Sequence, residues 1–562
     1  MTISANYPTI RPSLLLDFAN SEVLDPRVTF SRPTTATYYD NHTSTLAEQN
    51  LLLQSNTFTN AAWVATNGTV ASGVTDPAGG TTAFSFTATA ANATLYQTLT
   101  LTATPYTNSF WIQRVTGTGT INLTLDGTTL NPVTITGSWA KYQATATPTA
   151  ASHTIGIQVT TSGDVINIFG SQLENRSSAT ATNITTTTAL NNYIPVLQTA
   201  ASNQARFDHD PVTRTSLGFL IEQQSTNLIL QSQSYNTSWT LTNATLTSGA
   251  NIAPDGTQTA FNLVDSTATG LQAISQTVTK SASAIAYTDA QYFKANTRTY
   301  SWMQLSDGAG NGAIVYFNLS TGAISTAVAG VGTAFTALSA TINPVGNGWY
   351  RCTLSATSNT ATSIVKQFGS STNGTSNSFT GNGYSGIYIW GSQLEALAFS
   401  TSYIPTVASQ VTRSADIANM TGNNFSSWFN IAQGTYYVEF NVLQNTQSIP
   451  ILANSNGNPI LYQQGPNFGF YDGTNQGGGY VGAISLNTFY KGAISMTPST
   501  NTLSLSGTSG SAFTTNGKFL SQPNLQIGYG YNSPQSFVGH FKKIAYYPLA
   551  LPAANLQALT GS

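Results

Sequence analysis

The densest group of ionisable side chains in this sequence is Asp208-His209-Asp210, within Arg206-Phe207-Asp208-His209-Asp210-Pro211. A catalytic reading needs convergent acids, bases or nucleophiles, and glycoside hydrolysis uses two carboxylates about 5 to 9.5 Å apart. In an extended segment, alternation puts Asp208 and Asp210 on one face and His209 on the other. Arg206, Arg214 and Arg32 can each pair such carboxylates, so we read the group as structural. Elsewhere acids are too sparse for a catalytic pair to stand out. The expectation is therefore no catalytic residues and no enzyme, with a polysaccharide depolymerase as the last alternative. Binding is better supplied. Sugars offer C–H faces to aromatic rings and hydroxyls to Asn, Gln, Asp and Ser, and the composition is rich in both. The ligand-contact candidates are Tyr471 and Asp472, then Tyr529, Tyr531 and Asn532, which read as loop tips. Trp63 and Trp239 read as core or staple residues before sugar platforms, as do Trp139 and Trp349. His42, His153, His209 and His540 are too scattered for a zinc site, and no dense Asp/Asn loop suggests calcium. Cys352 reads as a small buried hydrophobe. No metal and no cofactor are expected.

The elements that carry these residues are read from composition and period. Of 562 residues only 18 are Lys or Arg and 20 Asp or Glu, 7% in all, with a net charge of −2; an ordinary soluble domain carries about 25%. This excludes a polybasic footprint for nucleic acid or an anionic membrane surface. No stretch has the roughly 18 to 20 apolar residues of a membrane span, and the first residues show no secretory pattern. The expectation is a protein made in a host cytoplasm and released by lysis, within a virus particle. Length suggests three or four domains. The hydrophobic period is two almost throughout, as in Ile121–Leu125, Thr154–Val159 and Tyr437–Val442, with turn signals such as Asp126-Gly127 and Asp472-Gly473. One brief helix is expected over Ala553–Leu559. The fold class is all-β, built of multidomain β-sandwiches.

There is an internal repeat. Asn50-Leu51-Leu52-Leu53-Gln54-Ser55, then Trp63, returns as Asn227-Leu228-Ile229-Leu230-Gln231-Ser232, then Trp239. Each copy closes on Gly-Ser-Gln-Leu-Glu, at 170–174 and 391–395. The second copy is longer, and its excess falls where Gly308 to Gly332 reads as loop, so longer loops or an added hairpin are expected. Around the first copy, Arg11 to Arg32 and Arg206 to Glu222 hold a large share of the charge. We read them as one docking unit stitched by Arg–carboxylate pairs, with Arg11, Asp17, Arg32, Arg206, Asp208 and Asp210 as its docking residues; two separate loops facing water is the alternative. The domain reading is 1–49 and 177–226 as the docking unit, 50–176 as an inserted first sandwich, 227–406 as a second, and 407–562 as a third. Gly539 to Tyr547 reads as a final strand stopped by Pro548.

The blocks Arg11 to Tyr38 and Arg206 to Leu228 resemble a segment recurrent in tail and virion structural proteins of tailed bacteriophages. The two repeats, with their Gly-Ser-Gln-Leu-Glu and Tyr-Ile-Pro (193–195 and 403–405) motifs, resemble phage-borne carbohydrate-binding-module-like jelly rolls. The last part is similar to concanavalin A-like (laminin G-like) sandwiches. The resemblance implies a virion structural protein, a tail fibre or host-contacting appendage that binds cell-surface glycans; a capsid decoration or head-fibre protein is the alternative, and a polysaccharide-depolymerising tailspike the second. Its implied partners are other virion proteins and a host surface polysaccharide, with no nucleic acid and no membrane. Because edge strands need protection and charge is sparse, a homotrimer is expected.

Overall fold

Alternating Leu, Ile, Val, Phe and Thr build long antiparallel strands that pair into three two-sheet sandwiches, seen in a computed structural model that describes residues 7–235, 237–444, 449–455, 459–471, 480–515, 522–530 and 537–561. The expected C-terminal helix is present as Ala553–Gly561, and the final strand runs Gly539–Tyr547. Among the described residues no helix is long and apolar enough to cross a membrane.

The first sandwich packs two five-stranded sheets, one centred on Ala151–Val159 and the other on Val165–Glu174. Its core gathers Phe58, Trp63, Phe86, Phe110, Ile155 and Ile166. The second sandwich repeats this order with six strands per sheet. Its additions are Ala323–Val331 and Thr336–Pro344, one at the edge of each sheet, so the extra length is an added strand pair. The segment read as loop, 308–332, instead contains the strands Gly312–Asn318 and Ala323–Val331. Small residues and a largely exposed edge hide the alternation there.

The repeat motifs close each sandwich on itself. The Asn50 side chain donates to Ser171 O at 2.9 Å and Asn183 O at 2.7 Å, and accepts from the backbone of Leu52 and Leu173. Asn227 does the same with Ser392 O, Ile404 O, Ile229 and Leu394. In each closing motif Gly170 and Gly391 sit at φ +57 and +61, at a bulge where other residues are strained. The Gln172 and Gln393 carbonyls each accept from the backbone amide of the returning segment, Asn183 or Ile404. Sequence identity between the copies thus marks a clasp.

The third sandwich corrects the docking-unit reading. Leu14–Asp17 pairs with the final strand, Leu14 opposite Tyr546, and Ser216–Ile221 pairs with the same strand, Phe219 opposite Phe541. Thr29–Ser31 joins the facing sheet through Ile417–Thr421. Leu14, Leu16, Phe18, Phe219 and Ile221 lie in one core with Tyr436, Val438 and Ile544. A small two-piece unit would leave these apolar faces wet, and burial in the larger sandwich removes that cost. The chain leaves this host sandwich for the first insertion along the ribbon strand Ala36–Asn50 and returns along Leu190–Ala200. It leaves again at Ser225–Asn227 and returns at Val411–Arg413, which pair with each other. The ribbon lies against the second sandwich, where Leu197 joins Tyr292, Trp349, Trp390 and Tyr403, and Lys294 pairs with Glu48.

The copies differ at one core pair. In the second sandwich Lys366 and Asp289, both fully buried, form an ion pair, and Lys366 also donates to Ala290 O at 3.0 Å. Burial outweighs Lys366 and pushes the Asp289 carboxyl up to about 6. By strand register the first sandwich has Asn108 and Ile155 in these places. Lys366→Met strands a buried carboxylate and should cost about 3–5 kcal/mol, whereas Asp289→Asn with Lys366→Ile should be near neutral. Chemical denaturation of the three proteins checks this; a double variant as unstable as the single one contradicts it.

Candidate functional site: a groove beside a buried ion-pair hub

Five charged side chains meet where the host sandwich gives way to its insertions. Arg32 Nη1 lies 2.9 Å from Asp416 Oδ1, Arg206 Nη1 2.7 Å from Glu222 Oε2, and Arg206 Nη2 2.5 Å from Asp416 Oδ2. Arg413 approaches Glu222 at 3.5 Å and Asp416 at 3.9 Å, and none of the five side chains is more than 2% exposed. Further donors go to backbone: Arg32 to Thr34 O, Ala201 O and Gln204 O, and Arg413 to Gln223 O. Ser402 donates its amide and hydroxyl to Glu222. Burial alone would raise the Glu222 carboxyl, but Arg413 and Arg206 outweigh it and hold it below the usual carboxylate range.

The Asp208-His209-Asp210 group does not converge. The strand Phe207–His209 ends before Asp210, so the extended alternation expected of the two acids stops there. Asp208 accepts from the Tyr39 amide at 2.7 Å, and its other oxygen lies 3.0 Å from His540 Nε2. His209 Nε2 lies 2.9 Å from Glu22 Oε1. Asp210 holds a turn by accepting from the amides of Val212 and Thr213. Of the other docking residues, Asp17 lies 3.4 Å from Lys543 near the surface, and Arg11 is exposed and makes no ion pair among the described residues. Only Arg32 and Arg206 share the hub.

The tryptophans are core residues. Trp63 and Trp239 each donate Nε1 to the backbone carbonyl of a positive-φ residue, Gln54 or Gln231. Trp139 and Trp349 donate to Thr75 O and Ile252 O. Tyr529 is half-buried, its hydroxyl accepting from Asn419 at 3.0 Å, and Tyr471 is half-buried as well. Asp472, Tyr531 and Asn532 lie outside the described residues.

Beside the hub an open groove of about 640 Å³ is lined by Ser21, Glu22, Val23, Leu24, Tyr38, Asp40, Asn203, Gln204, Ala205 and Phe207. Three connections converge to make it: the turn after the short helix Phe18–Ser21, the start of the ribbon, and the loop that leads out of it. Tyr38 and Asp40, two apart on the ribbon strand, share a face. Burial, then Asp40 and Asp208, raises the Tyr38 hydroxyl, keeping it a neutral donor. Asn203 and Gln204 are exposed, their side-chain carbonyl oxygens already accepting from Arg32 N and Ala201 N. The groove therefore gathers an aromatic ring, carboxylate acceptors and side-chain amides. Sequence reading missed it; its one local signal was the Tyr38–Asp40 spacing, which says nothing of the two distant segments.

The fold and groove define an all-β protein of three sandwiches with an open polar cleft. No family model matches the chain, and no curated protein matches it. It is similar to the CBM40 module of a Ruminococcus gnavus IT-sialidase bound to α2,3-sialyllactose, at 17% identity over 24% of this chain and 84% of that one, TM-score 0.20. It is also similar to a tandem CBM22 domain from Paenibacillus barcinonensis, at 11% identity over 63% and 99%, TM-score 0.19. A third is a carbohydrate-binding protein, so described, from Bacteroides ovatus, at 14% identity over 49% and 79%, TM-score 0.20. Overlaps this loose carry no argument, and the fold rests on the strand registers above.

Glu222→Gln tests the hub. Because the folded-state value of Glu222 lies below its ordinary 4.5, its contribution is present above that pH and lost as pH falls below it. The variant should unfold at a lower temperature than the parent at pH 7, and the gap should narrow as pH drops below about 4.5. Thermal scans across this range check it; a constant gap contradicts it.

Proposed function

We propose that this chain is a non-enzymatic virion structural protein of a tailed bacteriophage, a tail fibre or other host-contacting appendage, which holds cell-surface glycan in the groove between its host sandwich and ribbon. The observation that carries the glycan reading is the groove itself. Its volume falls in the range of about 300–1,000 Å³ common for small-ligand sites, and its lining combines Tyr38 and Phe207 with Glu22, Asp40, Asn203 and Gln204. That is the inventory a sugar needs, ring faces for C–H and paired donors and acceptors for hydroxyls. The non-enzymatic reading is supported by the dispersal of Asp208 and Asp210 onto His540 and onto turn amides.

The virion assignment rests on the resemblance of residues 11–38 and 206–228 to phage structural proteins. A homotrimer is supported by the added edge strands Ala323–Val331 and Thr336–Pro344. They are largely exposed and carry no charged residue, and such edges invite pairing unless covered. Other copies of the chain and neighbouring virion proteins are the covers this reading supplies.

A glycan array probed with the labelled full chain should give binding to host surface polysaccharide without release of reducing ends. Binding to none contradicts the glycan reading, and reducing-end release contradicts the non-enzymatic one. Sedimentation at micromolar concentration should give a trimer; a stable monomer contradicts the oligomer reading.

A further inference from the structure

We infer that the groove takes a saccharide by its acetamido group, a statement of ligand class that rests on the glycan reading above. The wall residues Asn203 and Gln204 are adjacent and exposed, and both side chains are oriented from within the protein. The Asn203 side-chain oxygen accepts from the Arg32 amide at 3.1 Å, and that of Gln204 accepts from the Ala201 amide at 3.1 Å. A backbone N–H is a donor only, so each side chain must turn its oxygen toward it and its nitrogen away. Among the described residues neither Asn203 Nδ2 nor Gln204 Nε2 has a hydrogen-bond partner. The wall therefore presents a pair of donors in a fixed orientation. Arg32 holds the same loop through Ala201 O and Gln204 O, so the pair is set before a ligand arrives.

The floor is of the opposite kind. Leu24, Ala205 and Phe207 line the groove half-buried and pack against the core of the host sandwich. A donor pair thus stands beside a small apolar seat. An acetamido group has the matching parts. Its carbonyl oxygen carries two lone pairs and can take both N–H groups, and its methyl leaves water on the apolar floor. A ring hydroxyl in its place has an acceptor oxygen but no methyl. An ammonium has neither, and it would leave the amide donors unanswered. Tyr38 lines the same groove with a neutral hydroxyl and with a ring face for the pyranose itself.

The test is a ligand-observed NMR titration of the full chain with the methyl glycosides of N-acetylglucosamine, N-acetylgalactosamine and N-acetylmannosamine. Each is compared with its unsubstituted hexose and with its free-amine form. At least one acetamido sugar should bind about tenfold more tightly than both counterparts, the gain of one good hydrogen bond with a buried methyl. Its acetyl methyl should take the strongest saturation transfer. Asn203→Asp combined with Gln204→Glu keeps a side-chain oxygen for the Arg32 and Ala201 amides and removes both donors. This double variant should lose the preference for the acetamido sugar over its hexose, a ratio that mere destabilisation would not move. A hexose bound as tightly as its acetamido form overturns the inference. A preference that the double variant retains overturns the groove wall as its reader. If a glycan array binds only polysaccharides free of acetamido sugars, the inference fails and the glycan reading stands. If no saccharide binds in either assay, the glycan reading fails with it.

Discussion

The architecture depends on one buried constraint, that the side chains of Arg32, Arg206, Glu222, Arg413 and Asp416 meet out of contact with the surface. Each residue stands at a crossing point between host sandwich and insertion. Arg32 precedes the outgoing ribbon strand and Arg206 follows the returning one; Glu222 precedes the second insertion, Arg413 ends its return strand, and Asp416 follows. Arg32 reaches Ala201 across 169 positions, and the Glu222 amide reaches Asp416 across 194. Each such closure carries an entropic cost, which grows only slowly with the length of the loop. Fixing both pairs of crossings at one point lets interrupted strands act as neighbours. Breaking a single partnership leaves a charge buried and unanswered, which costs far more than an intact pair contributes. An apolar plug would tolerate slippage of one segment past another. Directional Arg–carboxylate bonds do not, and we attribute the registration of the four crossings to them.

The insertions close on themselves mainly through side-chain amides. Their repeated motifs use Asn50 and Asn227 to bind the first loop of each sandwich to its last strand, and a buried carboxylate, Glu174 or Glu395, to hold Thr180 or Thr401 of the segment that follows. Each copy closes locally on itself, with the Asn donors and acceptors matched two for two. The second copy adds the buried Lys366–Asp289 pair where the first has Ile155 and Asn108, so an ion pair there is not required for the fold.

Period-two alternation is a local property, which is why the strands were legible in the sequence and why the final strand and terminal helix were found at or near their observed bounds. The repeat was also legible, since both copies need the same clasp. What was lost was non-local. Leu14, Leu16, Phe219 and Ile221 read as parts of a separate unit, because nothing near them in the sequence names the strand Gly539–Tyr547 as their partner. The hub escaped in the same way. Arg32 and Arg206 were singled out, but their shared partner Asp416, and Arg413 beside it, lie beyond the second insertion. Asp208 and Asp210 were expected on one face, but the strand ends at His209 and Asp210 belongs to the turn that follows.

The groove inherits its dependence on the hub. Its walls come from residues 21–24, 38–40 and 203–207, three segments that no single stretch of sequence brings together. Arg32 ties the last of them in place through its bonds to Ala201 O and Gln204 O. The wall carrying Asn203 and Gln204 is therefore held to the start of the ribbon by Arg32. On the glycan reading, ligand contact falls at the joint between the first insertion and the host sandwich.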